Sequence, residues 1–282
     1  MIGHVVASEL ALAHEVIGTT SQPTWQGWGR LKKVVPSLQI LEGLDLLNQE
    51  SFREKVLRLQ PHVIVNCAGA VKQSPLSKDV LRLYALNSEA PQILARFSQD
   101  NGIRLVHIST DCVFDGAKGN YSDDSTPTAL DPYGHSKAQG EVSGPSVLTL
   151  RTSVVGRELR GNQGLLEWAI SQRGRRVDGY KNARYSGLTA DQFSEVVGLV
   201  VDRFPSLSGI WNVAAAPIDK FSLLKLFNAT FGLQLNIRVN TDIRVDRTLS
   251  ATRFSEATGW VAPSWDRMIR EFHAYAEPRY DG

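Results

Sequence analysis

The sequence predicts an α/β protein built on a doubly wound parallel sheet. Two observations carry that prediction. Short, uninterrupted apolar runs recur along the chain, the pattern of strands buried on both faces. Helical stretches separate them, and this strand–helix alternation is the signature of a parallel sheet with helices on both sides.

The elements follow in order. Apolar runs at Val16–Thr19, Val63–Asn66, Leu105–Ser109, Val147–Arg151 and Ile210–Val213 read as strands. Ile2–Ala13, Gln49–Leu59, Ser77–Asp100, Pro132–Gly144 and Thr189–Arg203 read as helices. After Arg151 the rhythm loosens through a Gly- and Arg-rich stretch, Gly156–Tyr185. Helices near Lys220–Phe231, Ser250–Thr258 and Ser264–Ala276 close the chain. The expected organisation is a dinucleotide-binding domain over residues 1–156, to which 188–215 returns, and a smaller α+β substrate-binding part over 157–282.

Composition narrows the function classes. Of 282 residues, 42% are hydrophobic and 21% charged, as in an ordinary globular protein. A net charge of +2 gives no field that would favour nucleic acid or an anionic membrane, so neither is an expected partner. Cys67 and Cys112, the two cysteines, cannot form a disulfide framework or a four-thiolate zinc site. They suit a reducing compartment, and with no secretion signal or apolar span in view the expected location is the cytoplasm. The six histidines (His4, His14, His62, His107, His135 and His273) show no metal-ligand spacing, so no metal is expected.

The chemistry centres on Tyr133-Gly-His-Ser-Lys137, which follows Asp131-Pro132. Proline suits the first helical position, so Tyr133 falls near a helix start. A spacing of four puts Tyr133 and Lys137 on one face. There an ammonium can lower a phenol pKa, and a tyrosine so tuned can exchange a proton with a carbonyl or alcohol oxygen. Alone, the spacing is common and more often marks an exposed helix pair. Its context is more specific. Ser109-Thr110-Asp111 closes an apolar strand, and ligands of open α/β sheets bind beyond the carboxyl ends of strands. Asn66-Cys67-Ala68-Gly69 closes another with small residues that admit close approach.

His107-Ile-Ser-Thr-Asp-Cys-Val-Phe-Asp-Gly116, Tyr133-Gly-His-Ser-Lys-Ala-Gln-Gly-Glu141 and Leu150-Arg-Thr-Ser153 together resemble the extended short-chain dehydrogenase/reductases, with their Rossmann-like fold. Within them the chain is most similar to the dTDP-4-dehydrorhamnose reductase family. Asp45-Leu46, Asn66–Gly69, Leu86-Asn87 and Ser186-Gly-Leu-Thr189 extend the match. The resemblance implies a catalytic set of Thr110, Tyr133 and Lys137. It implies cofactor contacts from Ile2, Gly3, Thr20, Asp45, Leu46, Cys67, Ala68, Gly69, Asn87, Tyr133, Lys137 and Ser153. Val113, Phe114, Val154, Arg184 and Arg247 are the implied substrate contacts.

Cys112 stands where related dehydratases carry a glutamate, which favours simple reduction over water elimination. The family's sugar-site aromatics are replaced by Cys112 and Val154, so the sugar stays open. The second strand ends Gly18-Thr-Thr-Ser-Gln22 without an acid, which leaves room for a 2′-phosphate and favours NADP over NAD. Arg30, the nearest basic residue in sequence, is too far along to decide the matter.

The expected activity is reduction of a 4-keto (deoxy)sugar nucleotide in nucleotide-sugar or surface-polysaccharide synthesis, with a homodimer as one open assembly. An epimerase or dehydratase of the same superfamily is a second reading. A non-catalytic NADP-binding subunit is a third, because a fold of this kind also serves as the regulatory subunit of methionine adenosyltransferase.

Arg157, Arg160, Arg173, Arg175, Arg176 and Arg184 fit a diphosphate or a solvated surface equally. Trp25, Trp28, Trp168, Trp211, Trp260 and Trp265 are expected in packing roles.

One element is missing. A dinucleotide fold opens on a strand and a glycine-rich turn, whereas this chain starts Met1-Ile-Gly-His4, at a stretch resembling the turn's last glycine and its helix. About five buried apolar side chains at roughly 1.5–3 kcal/mol each would rival a domain's whole stability. The expectations are a natural start upstream, another segment in the gap, or a fold that tolerates it.

Overall fold

The computed structural model describes residues 1–22, 35, 38–72, 79–159 and 161–280. Trp25, Trp28, Arg30, Ser77 and Arg160 lie outside the described residues.

The central sheet is laid down by four strands: β3 (Val63–Asn66), β4 (Arg104–Thr110), β5 (Val147–Thr152) and β10 (Gly209–Asn212). They pair in parallel in the order β10-β5-β4-β3. Every residue of β4 and β5 is buried, as the continuous apolar runs require. β1 (Ile17–Thr19) and β2 (Gln39–Leu41) form a separate parallel pair. In a dinucleotide fold of order 3-2-1-4-5-6, β2 and β1 take the places of strands 3 and 2, and β3 takes that of strand 4.

Helices cover both faces. On one, α1 (Ile2–Leu10) packs against α7 (Ala190–Asp202) and α7 against α10 (Trp265–Tyr280). Val5, Val6, Phe193, Val197, Met268 and Phe272 join Val106, Leu148 and Leu150 in one core. On the other, α2 (Gln49–Leu59) and α4 (Ala90–Asp100) bury Phe52, Val56, Leu94 and Phe97 with Leu105 and Val147. Local chemistry sets the ends. Asn48 caps α2 by accepting the Ser51 N–H at 3.2 Å, and Gln60 stops it in the left-handed region at φ 48°.

The long helix expected over Ser77–Asp100 is divided within its described part. A short α3 (Val80–Tyr84) runs through a π turn at Ala85–Glu89 into α4. The extra residue of a π turn rotates Asn87 inward, and it is fully buried.

The expected helix Pro132–Gly144 is shorter than predicted. α5 ends at Gln139, because Gly140 must press against the π turn. A Cβ at Gly140 would sit 1.8 Å from the Asn87 carbonyl oxygen.

The rest is made of small pieces: β6 (Val154–Val155) with β9 (Leu188–Thr189), and β7 (Arg176–Tyr180) with β12 (Asn236–Asn240). β8 (Ala183–Tyr185) lies between β11 (Ile218–Asp219) and β13 (Val245–Asp246). Helices α6 (Leu165–Ser171), α8 (Lys220–Thr230) and α9 (Thr252–Thr258) complete this part. No helix among the described residues is long and apolar enough to cross a membrane.

α1 is tied to the far end of the chain. His4 is buried, hydrogen-bonds the Tyr280 hydroxyl, and meets that ring edge-on at 5.8 Å. Burial drives its pKa from 6.5 down to about 3, with the terminal amine adding to the shift. The unfolded chain therefore binds the proton first, and this contribution to stability is lost as pH falls from 6.5 toward 3. Buried His107 acts in the same direction. His4→Leu is expected to flatten the acid limb of a Tm-against-pH curve; an unchanged limb would assign it elsewhere.

Candidate active site

Thr110 ends β4, and a 3-10 turn, Asp111–Val113, follows at once. The Thr110 Oγ1 accepts the Cys112 N–H at 3.1 Å and donates to Asp111 Oδ1 at 3.2 Å. The Tyr133 phenol lies close enough to the same threonine for the Thr110 hydroxyl to influence its ionisation. Asp131 caps α5 (Pro132–Gln139) by accepting the Gly134 N–H at 3.0 Å, which fixes Tyr133 in the first turn. Gly134 allows the approach, since a Cβ there would lie 2.2 Å from the Cys112 carbonyl oxygen.

Tyr133 is half-buried as a residue, with its phenol at the dry end. Burial raises the phenol pKa above 10, and the charges of Cys112, Asp111 and Asp131 add to the rise. The nearby Thr110 hydroxyl works the other way. The phenol is thus protonated throughout the neutral range. Lys137 lies one turn further along the same helix. Its ammonium donates to the Ile108 carbonyl at 2.8 Å, and burial brings its own pKa from 10.5 to about 8. The charges of Glu141 and Cys67 oppose that fall.

Around the centre, the predicted residues divide. Asn66 accepts the Ala68 N–H at 3.1 Å, and Asn87 accepts the Ala70 N–H at 2.9 Å while donating to the Ala70 carbonyl and to Ser136 Oγ. The loop Cys67–Gly69 is thereby stapled to α5, with Ala68 and Gly69 exposed. A Cβ on Gly69 would come within 3.0 Å of Asn87 Oδ1. Ile2 and Gly3 begin α1, and a Cβ on Gly3 would lie 3.4 Å from that of Cys67. Thr20 meets the neighbouring turn through its carbonyl, which takes the Leu44 N–H at 2.8 Å. This brings Thr20 beside Asp45 and Leu46. The Ser153 carbonyl takes the Leu188 N–H, also at 2.8 Å, and Val154 pairs with Leu188.

The implied substrate contacts need correction in kind. Val113 and Phe114 are fully buried with Tyr121 and Leu249, because the 3-10 turn rotates both side chains inward. Phe114 stacks on Tyr121 at 4.0 Å, so its ring is taken up in packing. Arg184 projects from the outer surface toward Asp246 at 3.2 Å. Arg247 instead turns inward, donating to the Phe114 carbonyl at 2.9 Å and reaching Cys112 Sγ at 3.9 Å.

Two groups were missed as site residues. Asp111 is buried beside Tyr133; burial raises its pKa, and Arg247 chiefly opposes the rise. Glu141 takes a bidentate pair from Arg151, at 2.7 Å to each oxygen, and a hydrogen bond from Ser109 at 2.8 Å. Both lay inside the motifs quoted above, and a charge within an apolar strand (Arg151) was the available signal.

A protonated phenol and a threonine hydroxyl converging at a strand's carboxyl end, with a buried lysine on the same helix, define a site of the short-chain dehydrogenase/reductase type. The family model for the RmlD substrate binding domain matches residues 2–169, and the chain belongs to that family. It is 26% identical over 258 residues to a dTDP-4-dehydrorhamnose reductase of Aggregatibacter actinomycetemcomitans, covering 83% of this chain and 88% of that one. It is 36% identical over 97 residues to methionine adenosyltransferase 2 subunit beta of Danio rerio, covering 34% and 29%. Its fold matches dTDP-4-dehydrorhamnose reductase of Bacillus anthracis, solved with NADP, at TM-score 0.75 and 21% identity over 92% of this chain and 98% of that one.

Glu141→Gln is expected to cost on the order of 3 kcal/mol in denaturant unfolding, as breaking a buried ion pair does. It is also expected to drop the Lys137 pKa below 8, because the Glu141 charge now holds it up. A titration of Lys137 unmoved by the substitution would refute that coupling.

Proposed function

We propose that this chain is an NADPH-dependent reductase of a 4-keto sugar nucleotide, acting in nucleotide-sugar or surface-polysaccharide synthesis in the cytoplasm. The observation that carries the reading is the meeting of Tyr133 and Thr110 hydroxyls beside Lys137 at the end of β4.

The reading assigns the steps as follows. Thr110 and Tyr133 hold the carbonyl oxygen, and Tyr133 gives it a proton. Lys137 then steadies the tyrosinate that remains. Residues 1–156 with 188–215 form the cofactor side, and 157–282 the substrate side. A bound nicotinamide supplies the reducing equivalent. The strand ends fit such a group: Ala68 and Gly69 leave an open ledge after β3, while Thr20 and Asp45 stand together beyond β1 and β2. β1 runs into Thr20-Ser21 without an acid to repel a 2′-phosphate, which supports NADP. Arg247 and the Phe114 carbonyl face the sugar, and Cys112 leaves it more room than an aromatic would.

The methionine adenosyltransferase 2 subunit beta match supports a second reading, a cofactor-binding subunit without turnover. One assay separates the two: NADPH oxidation with dTDP- and UDP-4-keto sugars. Tyr133→Phe is expected to lower kcat by at least about a hundredfold with Tm unchanged. For the unmodified enzyme, kcat/KM is expected to fall as pH rises through about 8, where Lys137 loses its proton. Turnover unaffected by Tyr133→Phe, or absent with every sugar, would reject the reductase.

A further inference from the structure

The threonine that ends β4 has one hydrogen to give, since a hydroxyl donates once and accepts twice. Thr110 Oγ1 already accepts the Cys112 N–H at 3.1 Å. Asp111 Oδ1 lies 3.2 Å away, and that contact can hold a hydrogen from either oxygen. The two arrangements have opposite consequences. A carboxylate can only accept, so an ionised Asp111 draws the threonine hydrogen to itself and leaves a lone pair of Oγ1 for the Tyr133 phenol. A carboxylic acid donates instead. Its hydrogen fills the second lone pair of Thr110, and the threonine hydrogen must then point away from both partners.

The surroundings of Asp111 favour the acid. The residue is 5% exposed, and no ion pair reaches it among the described residues. Arg247, beyond β13, spends its donors on the Phe114 carbonyl at 2.9 Å and the Cys112 sulfur at 3.9 Å. Lys220, the first residue of α8, is exposed, and its charge acts on Asp111 least. Tyr185 of β8 is near enough to feel the Asp111 charge, yet its buried hydroxyl has no hydrogen-bond partner among the described residues. The Tyr133 phenol of α5 and the Cys112 thiol of the same turn are both kept protonated by burial. Burial also raises the Asp111 pKa, with Arg247 as the chief opposing charge. Tyr133 does not rely on a charged Asp111, because burial is the largest cause of its own raised pKa.

We infer that Asp111 is a positioning residue: as a neutral carboxylic acid it donates to Thr110 Oγ1 and turns the threonine hydrogen toward the reacting oxygen. This role rests on the reductase reading for the identity of that oxygen. With the Cys112 N–H and the Asp111 O–H on its two lone pairs, Thr110 has none left to take the phenol hydrogen. Both hydroxyls therefore aim their hydrogens at one place, where negative charge develops on the carbonyl oxygen. The Asp111 proton stays on Asp111 throughout, and the proton delivered to the product comes from Tyr133. An acid kept neutral by burial so that it can donate is an established way to build such a donor pair. An ionised Asp111 would undo the pair, because the threonine would then offer the ligand no hydrogen at all.

The test uses the 282-residue chain. An infrared difference spectrum of this protein minus Asp111→Asn, at neutral pH, is expected to show the carbonyl stretch of a protonated carboxyl, displaced in D2O. Carboxylate stretches in its place would overturn the proposal. Kinetics with NADPH and a 4-keto sugar nucleotide give the second readout. Asp111→Ala removes the donor and is expected to lower kcat by at least about tenfold while KM changes by less than about twofold. Asp111→Asn cannot ionise but offers an amide N–H to Thr110, so its kcat is expected to exceed that of Asp111→Ala by at least about threefold. Asn no better than Ala would overturn the proposal, since the carboxylate charge would then be what matters. In Thr110→Val, which lacks Oγ1, adding Asp111→Ala is expected to cost less than about a further twofold, because Asp111 acts through that oxygen. A full further loss there would also overturn it. Should Asp111→Ala fail to fold, Asp111→Leu fills the same space without a donor. A carboxylate in an enzyme that turns over rejects the role of Asp111 alone, whereas a protonated carboxyl without turnover of any sugar rejects the reductase reading and upholds the neutral acid.

Discussion

The site depends on one buried ion pair. Arg151 sits in the middle of an apolar sheet, on β5, with its side chain 2% exposed. Such a charge is tolerated only when fully paired. Glu141 pairs it through both oxygens and takes Ser109 of β4 as well. The remaining guanidinium nitrogen donates to the Asp123 carbonyl at 2.9 Å, and Asp123 in turn takes the Asn212 N–H of β10 at 2.7 Å. One cluster therefore joins three adjacent strands to the segment leaving α5. It holds the face carrying Tyr133 and Lys137 over the end of β4.

The same cluster tunes the lysine. Lys137 is buried, and burial alone would press its pKa lower than about 8. The Glu141 carboxylate keeps the ammonium charged near neutrality, while the Ile108 carbonyl fixes its position. Tyr133 experiences the opposite balance. Acidic neighbours at Asp111 and Asp131 and the thiol of Cys112 reinforce burial and keep the phenol protonated. Two groups four residues apart thus hold different protonation tendencies, because each faces a different wall.

The parts of this arrangement that sequence reveals are those with a repeating physical constraint. Strands β3, β4 and β5 were legible because burial on both faces forces unbroken apolar runs. Tyr133 and Lys137 were legible because helix geometry fixes which residues share a face. Asn87 was placed by resemblance, but its π turn was not legible, since no spacing rule announces one extra residue in a helix. The inward rotation of Phe114, and the contrast between exposed Arg184 and inward Arg247, arise from tertiary packing around Tyr121 and Asp246. The pieces β6 to β9 and β11 to β13 are too short to carry a period of their own.

The two halves of the site are held with unequal strength. The half carrying Thr110, Tyr133 and Lys137 stands on β4 and α5, where every strand residue is buried and the Arg151 charge is paired. The half carrying Thr20 and Asp45 stands on β1 and β2, which share no backbone hydrogen bond with the central sheet among the described residues. Among the described residues, side-chain packing that includes Val16, Leu41 and α1 connects them. Local opening follows the weakest set of buried contacts and hydrogen bonds, so the region of β1 and β2 opens at lower cost than β4. A ligand that touches both halves must offset that cost when it binds. The affinity of such a ligand is therefore governed by the joint between the two sheets as much as by the residues it touches, while the geometry at Thr110 and Tyr133 is set independently of that joint.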